Sequence, residues 1–377
     1  MTLLKVVFWT SAGLLAYTHV GYPLALAALG RVLGSDEPES PPDDAPLPSV
    51  SVIVAAYAEA AVIADRVANL RALHYPQDRL EVIVASDGSP DDTAVRAREA
   101  GADIVLELPR VGKVRAQDAG VDRARGDLVA FSDANVKWAP DALRELVRPF
   151  AEPGVGYVCG NVRFANERGT NQEGVYWRYE MWVRALESRV RSVTGGNGAI
   201  YATRRESYIV VDSIMGHDLS FPFNMVKRGW RAVYAPGARA CEKMVPTIEG
   251  EFHRKRRMMS HGWPIVLRGG MLSPRGYDPA YAGMIVSHRV LRYASPFLHA
   301  AALAASIALV GDEPVYVAAL VLQLTVILAA VAARAVPARP LLIARYYVLT
   351  TASLAAGLFD WVAHGTQVGW EPAAGTR

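Results

Sequence analysis

Long apolar runs stand at both ends of the sequence, and a run that lies in hydrocarbon has to form a helix that satisfies its own backbone. Residues 3–33, LLKVVFWTSAGLLAYTHVGYPLALAALGRVL, are broken in their interior only by His19 and Pro23. With a rise of about 1.5 Å per residue, such a run exceeds the roughly 30 Å of a bilayer's apolar core. A cleaved signal would have a shorter apolar core, a more basic start and a small-residue cleavage site, so a retained anchor is expected. Three further runs follow at 290–310, 314–333 and 341–362, joined by loops of a few residues; the last carries Arg345 and Asp360.

Basic residues are retained on the cytoplasmic side of a membrane. Arg31 follows the first run, Arg289 and Arg292 precede the second, and Arg334 and Arg339 lie between the third and fourth; the acidic turn Gly311-Asp312-Glu313 falls on the other side. The pattern puts the N-terminus outside, residues 35–288 in the cytoplasm and the C-terminus outside. Hydrophobic residues make up 51% of the chain and charged ones 20%, a balance that suits a globular unit tied to a membrane. A formal net charge of +3 with no basic stripe gives no reason to expect nucleic acid. Cys159 and Cys241 stand far apart without metal-ligand spacing, so neither a disulfide framework nor a zinc site is expected.

Residues 35–48, SDEPESPPDDAPLP, hold five prolines and five acids and read as an extended, solvated linker. From Ser49 short β-rich runs (SVSVIVAAY, LEVIVASD, ADIVLE, DLVAFSDA) alternate with helical patterns. That alternation predicts βαβ units in a mostly parallel sheet, with ligands gathering at the C-terminal ends of the strands.

Polar residues occupy those strand ends. The first run ends Val54-Ala55-Ala56-Tyr57-Ala58-Glu59, and the second runs into Asp87-Gly88-Ser89-Pro90-Asp91-Asp92-Thr93. Arg110-Val111-Gly112-Lys113 opens a helix, and the fourth run ends Ser132-Asp133-Ala134-Asn135. Downstream lie Thr194-Gly195-Gly196-Asn197-Gly198, then Met215-Gly216-His217-Asp218 before a helix, then Glu251-Phe252-His253-Arg254-Lys255-Arg256-Arg257. From about Pro48 to Trp263 this series resembles the inverting family 2 glycosyltransferases of GT-A fold, the membrane-bound group of cellulose and poly-N-acetylglucosamine synthases. Ala55, Ala58, Asn135 and Met258 depart from that family's pattern.

The resemblance implies a mostly parallel, Rossmann-like α/β GT-A domain at 49–248. Around it stand a transmembrane helix at 1–34, the linker at 35–48, a basic interfacial region at 249–288, three transmembrane helices at 289–363 and a tail at 364–377. It implies donor contacts from Tyr57, Glu59, Asp87, Lys113, Asp133, Arg254 and Arg257, and a loop beneath the reacting sugars from Gly195, Gly196 and Asn197. Asp218 is the implied catalytic base. Asp133 and Asn135, two residues apart on an extended segment, point to one side and are the implied ligands of Mg²⁺ or Mn²⁺. The implied partners are a nucleotide-sugar donor of the UDP type, a glycan or lipid-linked acceptor, membrane lipids, and proteins of polysaccharide synthesis or export. Read from their chemistry, Lys255 and Arg256 are expected to meet anionic lipid, and Trp263 to sit at the membrane interface.

Overall fold

A computed structural model describes residues 2–33, 46–165, 172–243, 245, 247–366 and 369; most of the expected linker and tail lies outside them. Helices α1 (Thr2–Ala16) and α2 (Tyr22–Leu33) are joined without a break by a π-turn at Tyr17–Gly21. Then come β1 (Val50–Ala56), α3 (Ile63–Arg71), β2 (Leu80–Asp87), α4 (Thr93–Glu99), β3 (Ile104–Leu108), α5 (Lys113–Arg123) and β4 (Leu128–Asp133). After them the pattern loosens into β5 (Val136–Trp138), α6 (Ala142–Val147), β6 (Val155–Ala165), α7 (Gln172–Val190), β7 (Tyr201–Arg204), α8 (His217–Lys227) and β8 (Arg231–Lys243). The chain continues with α9 (Ile248–Leu267), α10 (Pro279–Met284), a second π-turn at Ile285–Val290, α11 (Leu291–Ala308), α12 (Pro314–Ala332) and α13 (Arg339–His364).

The described strands form one sheet in the order β3-β2-β1-β4-β7-β6-β8-β5. β1, β2, β3 and β4 pair in parallel, β7 runs against β4 and β6, β8 is parallel to β6, and β5 is antiparallel to β8. The mostly parallel expectation therefore holds, with β5 and β7 reversed. Every residue of β1 is buried, as a strand covered on both faces requires. Val50, Val52 and Val54 enter one core cluster with Val82, Leu128 and Trp138, while Ile53 enters another with Ile83, Phe131 and Tyr201. Two-residue periodicity thus splits one apolar run between the two faces.

A further cluster joins the domain to the terminal helices: Tyr22 and Leu26 of α2, Val183 of α7, Phe223 of α8, Met259 and Trp263 of α9, and Tyr281 of α10. Among the described residues three helices are long and apolar enough to cross a membrane: Thr2–Val32, Pro314–Ala332 and Arg339–His364. The expected run at 290–310 is helical as α11 but is not one of the three. Arg292, Pro296 and His299 dilute its apolar character, and it packs along α1 instead. Thr18 Oγ1 donates to the Ser287 carbonyl at 2.8 Å at one end of that pair. At the other end Lys5 Nζ lies 2.7 Å from Asp312 and 2.8 Å from Glu313, so the N-terminal end of α1 and the acidic turn share one side.

Helix α13 is one of those three and is also paired to α9. Arg345 pairs with Glu249, Trp263 Nε1 donates to the Leu354 carbonyl at 2.9 Å, Arg256 grips Asp360 at 2.6 Å, and Thr366 Oγ1 donates to the Ser260 carbonyl at 2.7 Å. Both charges that set the last apolar run apart are thus paired to α9. These contacts pair α13 with α9, and it packs against α12 as well.

Candidate active site

The C-terminal edge of β1, β2 and β4 collects the polar residues. After β1 the chain turns through Ala58, whose φ of 52° lies in the left-handed region. The backbone N–H groups of Ala58, Glu59 and Ala60 donate to Ser89 Oγ, Thr93 Oγ1 and Asp91 Oδ2 at 3.2, 2.8 and 3.2 Å. The turn after β2 therefore serves first to fix the loop that carries Tyr57 and the buried Glu59. Gly88 has φ 67°, and a Cβ there would come 2.8 Å from the Arg110 backbone nitrogen, so only glycine lets the two loops approach.

Asp87 has no exposed side-chain surface. Its carboxylate accepts from Val111 N at 2.6 Å, Gly112 N at 3.0 Å and Arg110 Nη1 at 3.2 Å. The expected direct donor contact at Asp87 is thus replaced by an indirect role: it shapes the loop ahead of α5, because its lone pairs are already taken. Arg110, which sequence reasoning passed over, lies with its guanidinium 3.1 Å from the centre of the Tyr57 ring.

The Arg-Val-Gly-Lys segment delivers Lys113 to the first turn of α5, where its ammonium is ion-paired with Asp133 at the end of β4. Burial works against this charge, but Asp133, with Asp218 and Glu242 behind it, outweighs burial and holds Lys113 above its ordinary range. Burial first, and the Asp133 charge second, push the Glu242 carboxyl up to about 7. Glu242, another residue sequence reasoning missed, reaches the site because β8 pairs with β5 and puts it opposite Val136, one residue past Asn135. Asp218 stands in the first turn of α8. The N-cap there is Gly216, and among the described residues no hydrogen bond ties down the Asp218 carboxylate; its own carbonyl accepts from Gly196 N at 2.7 Å. Its neighbour His217 is buried, bonded to the Tyr201 hydroxyl through Nδ1 at 2.8 Å, and pushed by burial down to about 3.

The glycine loop meets this cluster through Gly198, where a Cβ would lie 3.5 Å from Lys113 Nζ and 3.8 Å from Asp133 Oδ2. The expected contact residues of the loop face elsewhere. Asn197 points inward, donating to the Gly160 carbonyl at 2.8 Å and accepting from Ile200 N at 2.8 Å, so it braces the turn. Gly196 lies against the Tyr157 hydroxyl, and Gly195 against the guanidinium of Arg289. Under the loop, fully buried Glu187 of α7 accepts from the Tyr22 hydroxyl at 2.7 Å, His288 Nδ1 at 2.7 Å and Thr194 N at 3.0 Å, while Arg289 Nε donates to Thr194 Oγ1 at 2.9 Å. The loop is therefore tied directly to α2 and to the π-turn before α11.

On α9, Arg254 forms a two-bond pair with Glu251 at 2.7 and 2.9 Å and lies within electrostatic reach of Glu242. Arg257 is exposed. Lys255 donates to the Tyr346 hydroxyl at 2.9 Å and Arg256 is held by Asp360, so both are spent on α13 rather than lipid. Trp263 is 7% exposed inside the α9–α13 contact, which corrects its expected place at the membrane interface. Cys159 is buried and Cys241 exposed, and neither is in a disulfide.

The edge residues fit a divalent cation. Among the described residues no three His, Cys, Asp or Glu side chains cluster as a metal nest. Yet Asp133 offers a carboxylate and Asn135 an amide oxygen, hard donors of the kind such ions take, and a cation, the Lys113 ammonium, already stands on Asp133.

Residues 51–211 match the family model described as Glycosyl transferase family 2. The chain is 30% identical over 239 residues to an N-acetylglucosaminyltransferase of Mesorhizobium japonicum, covering 57% of this chain and 56% of that protein. It is 26% identical over 235 residues to a poly-beta-1,6-N-acetyl-D-glucosamine synthase of Staphylococcus aureus, covering 59% and 56%. The chain thus spans little more than half the length of these curated relatives. Among solved structures it resembles a mannosyltransferase from Pyrobaculum calidifontis in complex with GDP-Man and Mn²⁺, with a TM-score of 0.73 and 24% identity over 96% of this chain and 99% of that one. At that identity the likeness speaks to the fold, which is GT-A-like, its mixed sheet covered by helices on both faces.

Proposed function

Since residues 51–211 form a glycosyl transferase family 2 domain, we propose that the chain transfers a sugar from a nucleotide donor to a glycan or lipid-linked acceptor at a membrane surface, in cell-surface polysaccharide synthesis. The observation that carries this reading is the pairing of Lys113 with Asp133 at the sheet edge, within electrostatic reach of Asp218. One group suits the leaving diphosphate and the other suits the incoming hydroxyl. Tyr57 and Glu59 bound the nucleoside side, with Asp87 acting through the 110–112 loop.

The reaction is a single displacement with inversion at the anomeric carbon. Asp218 takes the proton of the acceptor hydroxyl. Lys113, Arg254 and Arg257 neutralise charge as the nucleoside diphosphate departs. Asp133 and Asn135 would hold Mg²⁺ or Mn²⁺, which when bound supplies positive charge to the donor's diphosphate. Gly195, Gly196 and Asn197 shape the floor on which the sugars lie. The relatives' names make activated N-acetylglucosamine the first donor to try.

The basic residues favour a cytoplasmic domain. We read α1, α11 and α12 as the spans and α13 as lying on the cytoplasmic surface beside α9; the antiparallel α1–α11 pair and the contacts of α13 with α9 support that reading.

The test is nucleotide release and sugar incorporation from a panel of nucleotide sugars, in membranes carrying the wild type or Asp218→Asn. Asn keeps size and hydrogen bonding but not the proton acceptor, so turnover should fall by roughly 10² to 10⁴ while donor affinity stays. Near-normal turnover of the variant would remove Asp218 from the chemistry.

A further inference from the structure

We propose that Tyr22 and Glu187 are positioning residues for sugar transfer: through Thr194 and Gly196 they hold the Asp218 backbone in place, which makes the first membrane helix a working part of the active site. This rests on the reading of Asp218 as the base.

The need for such a brace begins in the sequence. Glycines at 195, 196 and 198 leave the loop without side chains there to hold its shape, and glycine loses the most backbone freedom on folding. Neighbours have to impose its position, and α7 does so at two points. Arg184 and Glu187 are both buried, and their spacing of three places them on one face of the helix. Arg184 Nη2 donates to the Gly196 carbonyl at 2.9 Å, while Glu187 accepts from Thr194 N at 3.0 Å and from the Thr194 hydroxyl at 3.0 Å. The loop has no slack elsewhere, because a Cβ at Gly196 would overlap the Tyr157 hydroxyl and one at Gly195 the Arg289 guanidinium.

The loop passes this order on to the base. A carbonyl in an α-helix accepts from the N–H four residues on, but for Asp218 that residue is Pro222, which has none. The Asp218 carbonyl is left for Gly196, whose N–H reaches it at 2.7 Å. Pro222 thus turns the start of α8 into the docking point of the glycine loop. On the far side of Glu187 stands Tyr22, buried at the start of α2, whose hydroxyl donates to the carboxylate at 2.7 Å. α2 belongs to the apolar helix Thr2–Val32. The links therefore run from a membrane helix through Glu187, Thr194 and Gly196 to Asp218, and a shift of about 1 Å along such a chain is enough to cost about 10²-fold in rate.

The test uses the full-length chain purified in detergent, with the donor that releases most nucleotide in the nucleotide-sugar panel. Tyr22→Phe deletes one hydroxyl and keeps the ring; turnover should fall roughly tenfold with donor KM within about twofold of wild type. The Gly196 amide, followed by hydrogen exchange, should exchange about tenfold faster. Tyr17→Phe removes a hydroxyl from the same membrane helix, where it meets Ser287 Oγ at 2.9 Å, and should change neither readout. Glu187→Gln breaks the link at its centre and serves as the probe if Tyr22→Phe does not fold; the double variant should lose no more turnover than Glu187→Gln alone, because both act through one chain. Equal losses in Tyr22→Phe and Tyr17→Phe would overturn the proposal, as would wild-type turnover and exchange in Tyr22→Phe while Asp218→Asn still lowers turnover, and either result leaves the base reading intact. Near-normal turnover of Asp218→Asn would overturn both.

Discussion

Ala58 shows how a single position can work against its own fold. Its φ of 52° puts a Cβ in the left-handed region, which costs an L-residue of this kind about 1 kcal/mol, whereas asparagine tolerates the region through local hydrogen bonds. Ala58→Asn should therefore raise stability by roughly 0.5 kcal/mol, a few degrees at most in thermal midpoint, without loss of donor binding. An unchanged or lower midpoint would mean that the Ser89 and Thr93 contacts already absorb the strain. Sequence could flag this position, because the family pattern has a different residue there, but the sign of φ could not be read from it. Arg110 was illegible for a related reason: its stacking on Tyr57 depends on Asp87 bending the intervening loop, which no local pattern encodes.

At the scale of elements, buried ionisable groups link α7, α8 and the π-turn before α11, and they set an acid limit on stability. Burial alone would raise Glu187, but its interaction with His288, and then with Arg289 and the Thr194 backbone, brings it down to about 2 from 4.5. Its folded pKa is depressed, so its contribution is complete above 4.5 and is lost as pH falls toward about 2. His217, buried and neutral at about 3 against an ordinary 6.5, likewise contributes fully above 6.5, and that contribution erodes as pH falls toward about 3. Glu242, raised to about 7 from 4.5, acts in the opposite sense between 6.5 and 4.5, so the His217 contribution is read as a difference: the midpoint of His217→Gln should lose less than that of the wild type as pH falls through this window. An equal change in the two proteins between 6.5 and 4.5 would contradict the assignment. The four leading strands and α5 were legible because their apolar runs are short and bounded by turns. The β5–β8 pairing was not, since the three residues of β5 find their partner a whole subdomain later. Glu242 was invisible for that reason, and so were Glu187 and Arg289, whose partners lie far away in sequence.

Across the whole molecule, hydropathy alone does not say which helices lipid covers, because an apolar run looks the same whether lipid or protein covers it. α11, too polar to stand alone, is paired with α1, and α13, apolar enough to span, is fastened along α9 by Arg345 and Asp360. A cysteine at position 369 and one in the 35–48 linker should therefore be labelled from the same face, and one at position 2 from the other, in cells permeabilised selectively. Labelling of position 369 from outside intact cells would restore α13 as a span. The two π-turns have a consequence of their own. Tyr17–Gly21 and Ile285–Val290 lie side by side, with the Tyr17 hydroxyl 2.9 Å from Ser287 Oγ, so each entering helix holds one surplus residue at the same depth. The pair works as a matched gauge: slip one helix by a residue and its partner's side chains, His288 and Arg289 among them, turn away from the glycine loop. In engineering, the first anchor and α11 are then a single cassette, to be exchanged between relatives together or left in place.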